Sequence, residues 1–153
     1  MTLVRFIHLL GVALWLGGGV AAMVLAILGR REDAAIRAAL HRALVNVHTM
    51  VIGLGALLTV ATGLVLTMDL MTAGAGALMS RPRLWLMQGA GLIGGLLVLI
   101  VGLPAAVKLG GVAMPDEQGR LPDAFERYRS RSAMANAVGG TLALVALFAA
   151  VVL

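Results

Sequence analysis

The chain contains no cysteine. Disulfides, thiolate metal sites and covalent c-type haem attachment through Cys-x-x-Cys-His are therefore excluded. Charge is scarce as well: 12% of residues are Asp, Glu, Lys or Arg, against about 25% in an ordinary soluble domain. Aromatic residues make up 4% of the chain, and there are three histidines and four prolines. No P-loop and no His-Glu-x-x-His metalloprotease motif is present. Ser80, Ser130 and Ser132 have no His–carboxylate pairing, so no nucleophile constellation assigns a reaction. The acids Asp116, Glu117, Asp123 and Glu126 stand among arginines, as on a solvated surface.

What the chain has instead is apolar length. Of its 153 residues, 61% are hydrophobic. Four runs are almost free of charge: Phe6–Leu28, Val45–Met68, Leu84–Val107 and Ala133–Leu153. A helix rises about 1.5 Å per residue, so roughly 20 apolar residues cross a hydrocarbon core. Each run meets that length. The expected fold is all-α: a single integral membrane domain over residues 1–153, an antiparallel up-down four-helix bundle. The first run is long for a signal-peptide core and little charge precedes it, so it reads as a retained span.

The net charge of +5 lies in loops and reports topology, not nucleic-acid binding. Arg30, Arg31, Arg37 and Arg42 follow the first span, and Lys108, Arg120, Arg127, Arg129 and Arg131 follow the third. Both loops lie on one side. The opposite side carries Arg5, Arg81 and Arg83. The positive-inside rule places both large loops in the cytoplasm and both termini outside, in a bacterial cytoplasmic membrane. Glu32–Leu44 reads as an amphipathic helix leading into the second span, with Ile36, Leu40 and Leu44 at helical spacing. Met114–Pro122 reads as a turn-rich loop, and Asp123–Ser132 as a charged lead-in to the fourth span.

The chain has 20 glycines, many of them inside spans. In lipid, small residues let helix backbones approach closely, and Gly91 with Gly95 forms a Gly-xxx-Gly pair. Tight helix packing accounts for most of them; a sharper reading is that some leave room for a flat macrocycle. Gly89-x-Gly91-x-x-Gly94 matches a dinucleotide fingerprint, but it lies within an apolar span and follows no strand.

Polar residues at membrane depth are costly and mark function. His8 falls near the outer end of the first span, with Gly11, Trp15 and Gly18 or Gly19 on its face at three- to four-residue spacing. Gly63 of the second span and Trp85, Met87 and Gln88 of the third fall at the same depth. An imidazole, an aromatic wall, a glycine gap and a thioether or amide form a candidate haem pocket. His8 with Met87, Gln88 or an open position opposite would hold the iron. Alternatively, His8 is an interfacial hydrogen-bonding residue and the tryptophans are anchors.

His48 lies near the inner end of the second span, with His41 one heptad earlier and Asn46, Asn136 and Lys108 at similar depth. This group reads as a second cofactor site or a proton-conducting cluster. Axial nitrogens on one iron stand about 4 Å apart, with metal–imidazole bonds near ~2.0 Å. His8 and His48, at opposite faces, are therefore not expected to clamp one haem within a subunit. Met68, Met71 and Met79 offer soft thioethers for copper, though Met is also ordinary apolar filler.

The stretch Arg5-Phe-Ile-His8-Leu-Leu-Gly11-Val-Ala-Leu-Trp15-Leu-Gly-Gly resembles the first span of a loosely related group of small membrane proteins. The group comprises HemJ-type protoporphyrinogen oxidases, CopD copper-resistance domains and uncharacterised four-span relatives. The third span, Arg83-Leu-Trp85 to Leu103-Pro104 with Lys108 after it, is similar to the uncharacterised relatives. The resemblance implies haem b ligation by His8. HemJ-like proteins carry a lysine in a later span, where this chain has Gln88, and the aromatic and proline-arginine sequence after their first span is missing. Porphyrinogen oxidation is therefore not carried over.

Three functions follow as expectations. The first is a haem b-binding redox or electron-transfer subunit with a membrane partner or as a homo-oligomer. The second is a cofactor-free accessory subunit of a larger complex. The third is copper or small-solute transport, poorly served because Pro104 alone interrupts a span. Reporter fusions test the topology: both termini should read as non-cytoplasmic, and neutralising Arg37, Arg42, Arg127 and Arg131 together should weaken that bias.

Overall fold

The computed structural model describes residues 1–72 and 81–152. Among these, four long helices are apolar enough to cross a membrane: α1 (Thr2–Arg31), α2 (Ala34–Thr72), α3 (Pro82–Val112) and α4 (Asp123–Val151). No strand occurs among the described residues. Less than half of each apolar window is buried inside the bundle, 22% in α1 and 39% in α3. Leu3, Phe6, Met50, Ile93, Ile100 and Val151 all point outward. Only an apolar surrounding satisfies such a surface.

Contacts along the helices run in opposite senses, which makes each neighbour pair antiparallel. Gly11 meets Gly55 and Gly29 meets Leu40 between α1 and α2. Val60 meets Gly95, Leu103 meets Gly53 and Val45 meets Gly110 between α2 and α3. Gly94 meets Gly139 and Gly102 meets Asn136 between α3 and α4.

Two of these crossings bring backbone against backbone. A Cβ on Gly55 would stand 2.6 Å from the Trp15 nitrogen and 2.8 Å from the Gly11 carbonyl oxygen. A Cβ on Gly94 would stand 2.8 Å from the Gly139 carbonyl oxygen, and one on Gly139 would stand 2.9 Å from the Gly94 carbonyl oxygen. No side chain fits there. The Gly91–Gly95 pair does not work as a unit. Gly95 is crowded by Val60, whereas a Cβ on Gly91 would meet only Ala146, at 3.8 Å. The tight contact is made instead by Gly94, from the adjacent register.

α2 has 39 residues, about 58 Å of helix against a hydrocarbon core of about 30 Å. Its first turns therefore stand outside the apolar layer. Asp33 caps them by accepting the Ile36 N–H at 2.9 Å. Below the membrane-spanning part, Phe125 and Ala38 are fully buried with Leu109 and Ala113 in a second small core. Arg42 donates to the Ala113 carbonyl and ties α2 to the end of α3.

α2 and α3 each contain a π-helical segment, His48–Gly53 and Val98–Gly102. Pro104 explains the second: it lacks the N–H that would reach the Ile100 carbonyl, so the preceding turn widens. In the first, Thr49 donates back to the Val45 and Asn46 carbonyls. Both segments end on a buried glycine, Gly53 against Leu103 and Gly102 against Asn136. The α3–α4 loop closes on Asp116, whose carboxylate accepts the backbone N–H groups of Gln118 and Arg120. Gly119 supplies the left-handed residue there, with φ of 73°.

Gly55→Ala and Gly139→Ala should each cost about 1–3 kcal/mol through overpacking. Gly17→Ala and Gly140→Ala, where a Cβ meets nothing within 4 Å, should not destabilise. Thermal unfolding in detergent separates the two pairs.

Candidate functional site

At the end of the bundle formed by the starts of α1 and α3 and the ends of α2 and α4 lies a cavity of about 530 Å3. That size falls within the range of small-molecule sites. Its walls are mostly apolar: Leu9, Val12, Leu66, Leu92, Ala146 and others. Arg5 and Asp69 add charge. Of the residues singled out from sequence, His8, Trp15, Gly63, Trp85, Met87 and Gln88 line this one cavity. Gly11 lies at the helix crossing, against Thr59 and Gly55. Gly18, and not Gly19, joins the buried face of α1 with Trp15.

The polar groups are oriented by threonines. Thr62 Oγ1 gives its single proton to the Leu58 carbonyl. It can then only accept from the His8 ring, whose Nδ1 lies 3.0 Å away. This donation assigns the imidazole proton to Nδ1 and the lone pair to Nε2, a tautomer inferred from the Thr62 hydroxyl. A histidine that ligates a metal is commonly fixed in this way, its second nitrogen donating to a neighbour. Thr67 repeats the device. Its hydroxyl donates to the Gly63 carbonyl at 2.9 Å and accepts from Gln88 Nε2 at 3.0 Å. Gln88 is thereby bolted across α2 and α3.

A Cβ on Gly63 would stand 3.3 Å from His8 Cε1, so a side chain there would press on the imidazole. Trp15 is 2% exposed. Its ring lies 3.4 Å from where a Cβ of Gly94 would be, so the cavity wall rests on the α3–α4 crossing. Trp85 is at the bundle surface, 64% exposed. It can serve both as a wall and as an interfacial anchor.

His48 is not in this cavity. The length of α2 from His48 to Gly63, the residue beside His8, is roughly 22 Å. His48 Nδ1 donates to the Leu44 carbonyl at 2.8 Å and His41 Nδ1 to the Arg37 carbonyl at 2.9 Å. Asn136 donates to the Ser132 carbonyl at 2.8 Å, and its buried Oδ1 has no hydrogen-bond partner among the described residues. Lys108 sits over the Tyr128 ring. Among the described residues, no three His, Cys, Asp or Glu side chains gather as a metal-ion site. Met68 and Met71 point outward, and Met79 lies outside the described residues.

Sequence reasoning missed the threonines. Their signal is a Thr on α2 at helical spacing facing each candidate polar group, and it becomes meaningful only once the α1–α2 and α2–α3 registers are known. Comparison with protein families, with characterised proteins and with solved structures finds no match for this chain.

Imidazole nitrogen-15 NMR should show His8 protonated at Nδ1 and bare at Nε2. Thr62→Val should weaken that tautomer preference and cost about 1 kcal/mol of stability.

Proposed function

We propose that the chain binds haem b in this cavity through His8 Nε2 and serves a membrane as a redox or electron-transfer subunit. The observation carrying this reading is the orientation of His8. An imidazole anchored at Nδ1 by Thr62 lines an apolar cavity of about 530 Å3, and Nε2 is its nitrogen left for a ligand. The donor set suits the group: imidazole is a common axial ligand, and Met is a known partner opposite it.

Met87 or Gln88 would be the other side chain able to hold the iron, or would border an open position. Gly63, Gly89 and Gly91 contribute wall without side chains. Arg5 supplies a cation that would suit the propionates of a haem. When bound, haem supplies reversible one-electron chemistry. The protein would hold its ring in apolar surroundings, and that burial with its hydrogen bonds would set the potential. The partner would be another membrane redox protein or a second copy, and a bacterial cytoplasmic membrane is the proposed location.

A second reading is a cofactor-free accessory subunit. It is favoured by glycines that meet nothing within 4 Å, such as Gly17, Gly19 and Gly140, where another helix could approach closely.

The decisive test is the visible spectrum of detergent-purified protein from haem-sufficient cells, before and after dithionite. A Soret band with reducible α and β bands is expected. His8→Ala should lose at least nine-tenths of the chromophore while keeping its helical circular dichroism. His48→Ala should keep the chromophore. A colourless wild type, or full haem retention in folded His8→Ala, overturns the assignment.

A further inference from the structure

The opposite end of the bundle holds a smaller pocket, of about 70 Å3, that takes no part in the haem reading. Three helices converge on it: α1 brings Arg30, α2 brings Arg37 and His41, and α4 brings Glu126 and Arg129. Three arginines and one carboxylate line it.

Glu126 works as a brace. Its Oε1 accepts from Arg37 Nη2 at 3.2 Å, and its Oε2 accepts from Arg129 Nε at 2.8 Å and Nη2 at 2.6 Å. Arg37 also lies over the Phe125 ring, 5.7 Å from its centroid. Each guanidinium carries five N–H donors, so most donors of Arg37 and Arg129 remain unspent on Glu126. Arg30 makes no ion pair among the described residues. His41 meets Phe125 edge-on at 5.0 Å. Its Nδ1 proton goes to the Arg37 carbonyl, so the ring is held in place. The cluster therefore has surplus positive charge, two guanidiniums held on Glu126 and space for one small oxyanion.

Depth selects the source of that anion. Arg30 and Gly29 follow directly on the apolar run Phe6–Leu28, and His41 precedes the run that starts at Val45. The pocket stands at the edge of the hydrocarbon layer, where lipid phosphates lie, and basic pockets between helices at this level bind acidic head groups. We propose that this pocket binds the phosphate of an anionic phospholipid. The planar guanidiniums suit its oxygens by paired hydrogen bonds.

Native mass spectrometry of the full chain in detergent tests the proposal. The probes are dioleoylphosphatidylglycerol, dioleoylphosphatidylcholine and inorganic phosphate. One phosphatidylglycerol should be retained preferentially, by roughly tenfold over phosphatidylcholine. Arg129→Gln should weaken retention about tenfold, as expected for loss of one charge-assisted hydrogen bond. Arg30→Gln breaks no ion pair and provides a second variant that keeps the brace intact; it should also weaken retention. Arg83→Gln, at the other end of the bundle, should not. Equal retention of the two lipids overturns the proposal, as does unchanged retention in folded Arg30→Gln and Arg129→Gln. Inorganic phosphate binding as tightly as the lipid also overturns it, assigning the pocket to a soluble anion.

Discussion

The bundle depends on two places where helix backbones touch without side chains between them: Gly11 against Gly55, and Gly94 against Gly139. In lipid there is no hydrophobic gain in bringing one apolar helix to another, so close packing has to supply the attraction. These crossings join α1 to α2 and α3 to α4. Trp15 lies between the two pairs: its backbone presses on Gly55, and its ring reaches Gly94 and Gly95. The large cavity is bounded by that same ring. The packing that holds the helices thus also sets a wall of the candidate site.

Threonine hydroxyls on α2 then decide the chemistry of the cavity. Thr59, Thr62 and Thr67 each donate to a carbonyl one turn back. This satisfies the hydroxyl proton in a setting without water and leaves oxygen lone pairs as acceptors. Thr62 and Thr67 turn those lone pairs to His8 and Gln88. The imidazole tautomer and the amide orientation are consequences of helical back-bonding on a neighbouring element.

The two ends of the bundle do different things with the same scarcity of charge. At one end a single cation and a single acid, Arg5 and Asp69, accompany a largely apolar cavity. At the other, Arg37 and Arg129 share Glu126, with Arg30 lining the same pocket, beside a fully buried Phe125. The arginines stand beyond the apolar runs, where exposed guanidiniums cost little. Only His8, His48 and a few amides and hydroxyls lie at membrane depth.

Much of the architecture is written in local order. The four apolar runs are each long enough to cross a hydrocarbon core, and hydropathy needs no tertiary partner to reveal that. The lead-in to α2, the turn at Asp116–Gly119 and the shared face of His8, Gly11 and Trp15 follow from 3.6-residue periodicity and turn chemistry. The depth match of His8 with Gly63 and Gln88 follows from antiparallel counting at a fixed rise. Tertiary structure alone decided which glycines are essential: Gly94 and not Gly91 meets the neighbouring backbone, because the register between helices selects the contact. It alone supplied Thr62 and Thr67 as partners and gathered Arg30, Arg37, Arg129 and Glu126 into one pocket. Each of these rests on atoms from separate helices meeting in space, and the one-dimensional pattern of a single helix contains no record of which neighbour it will face.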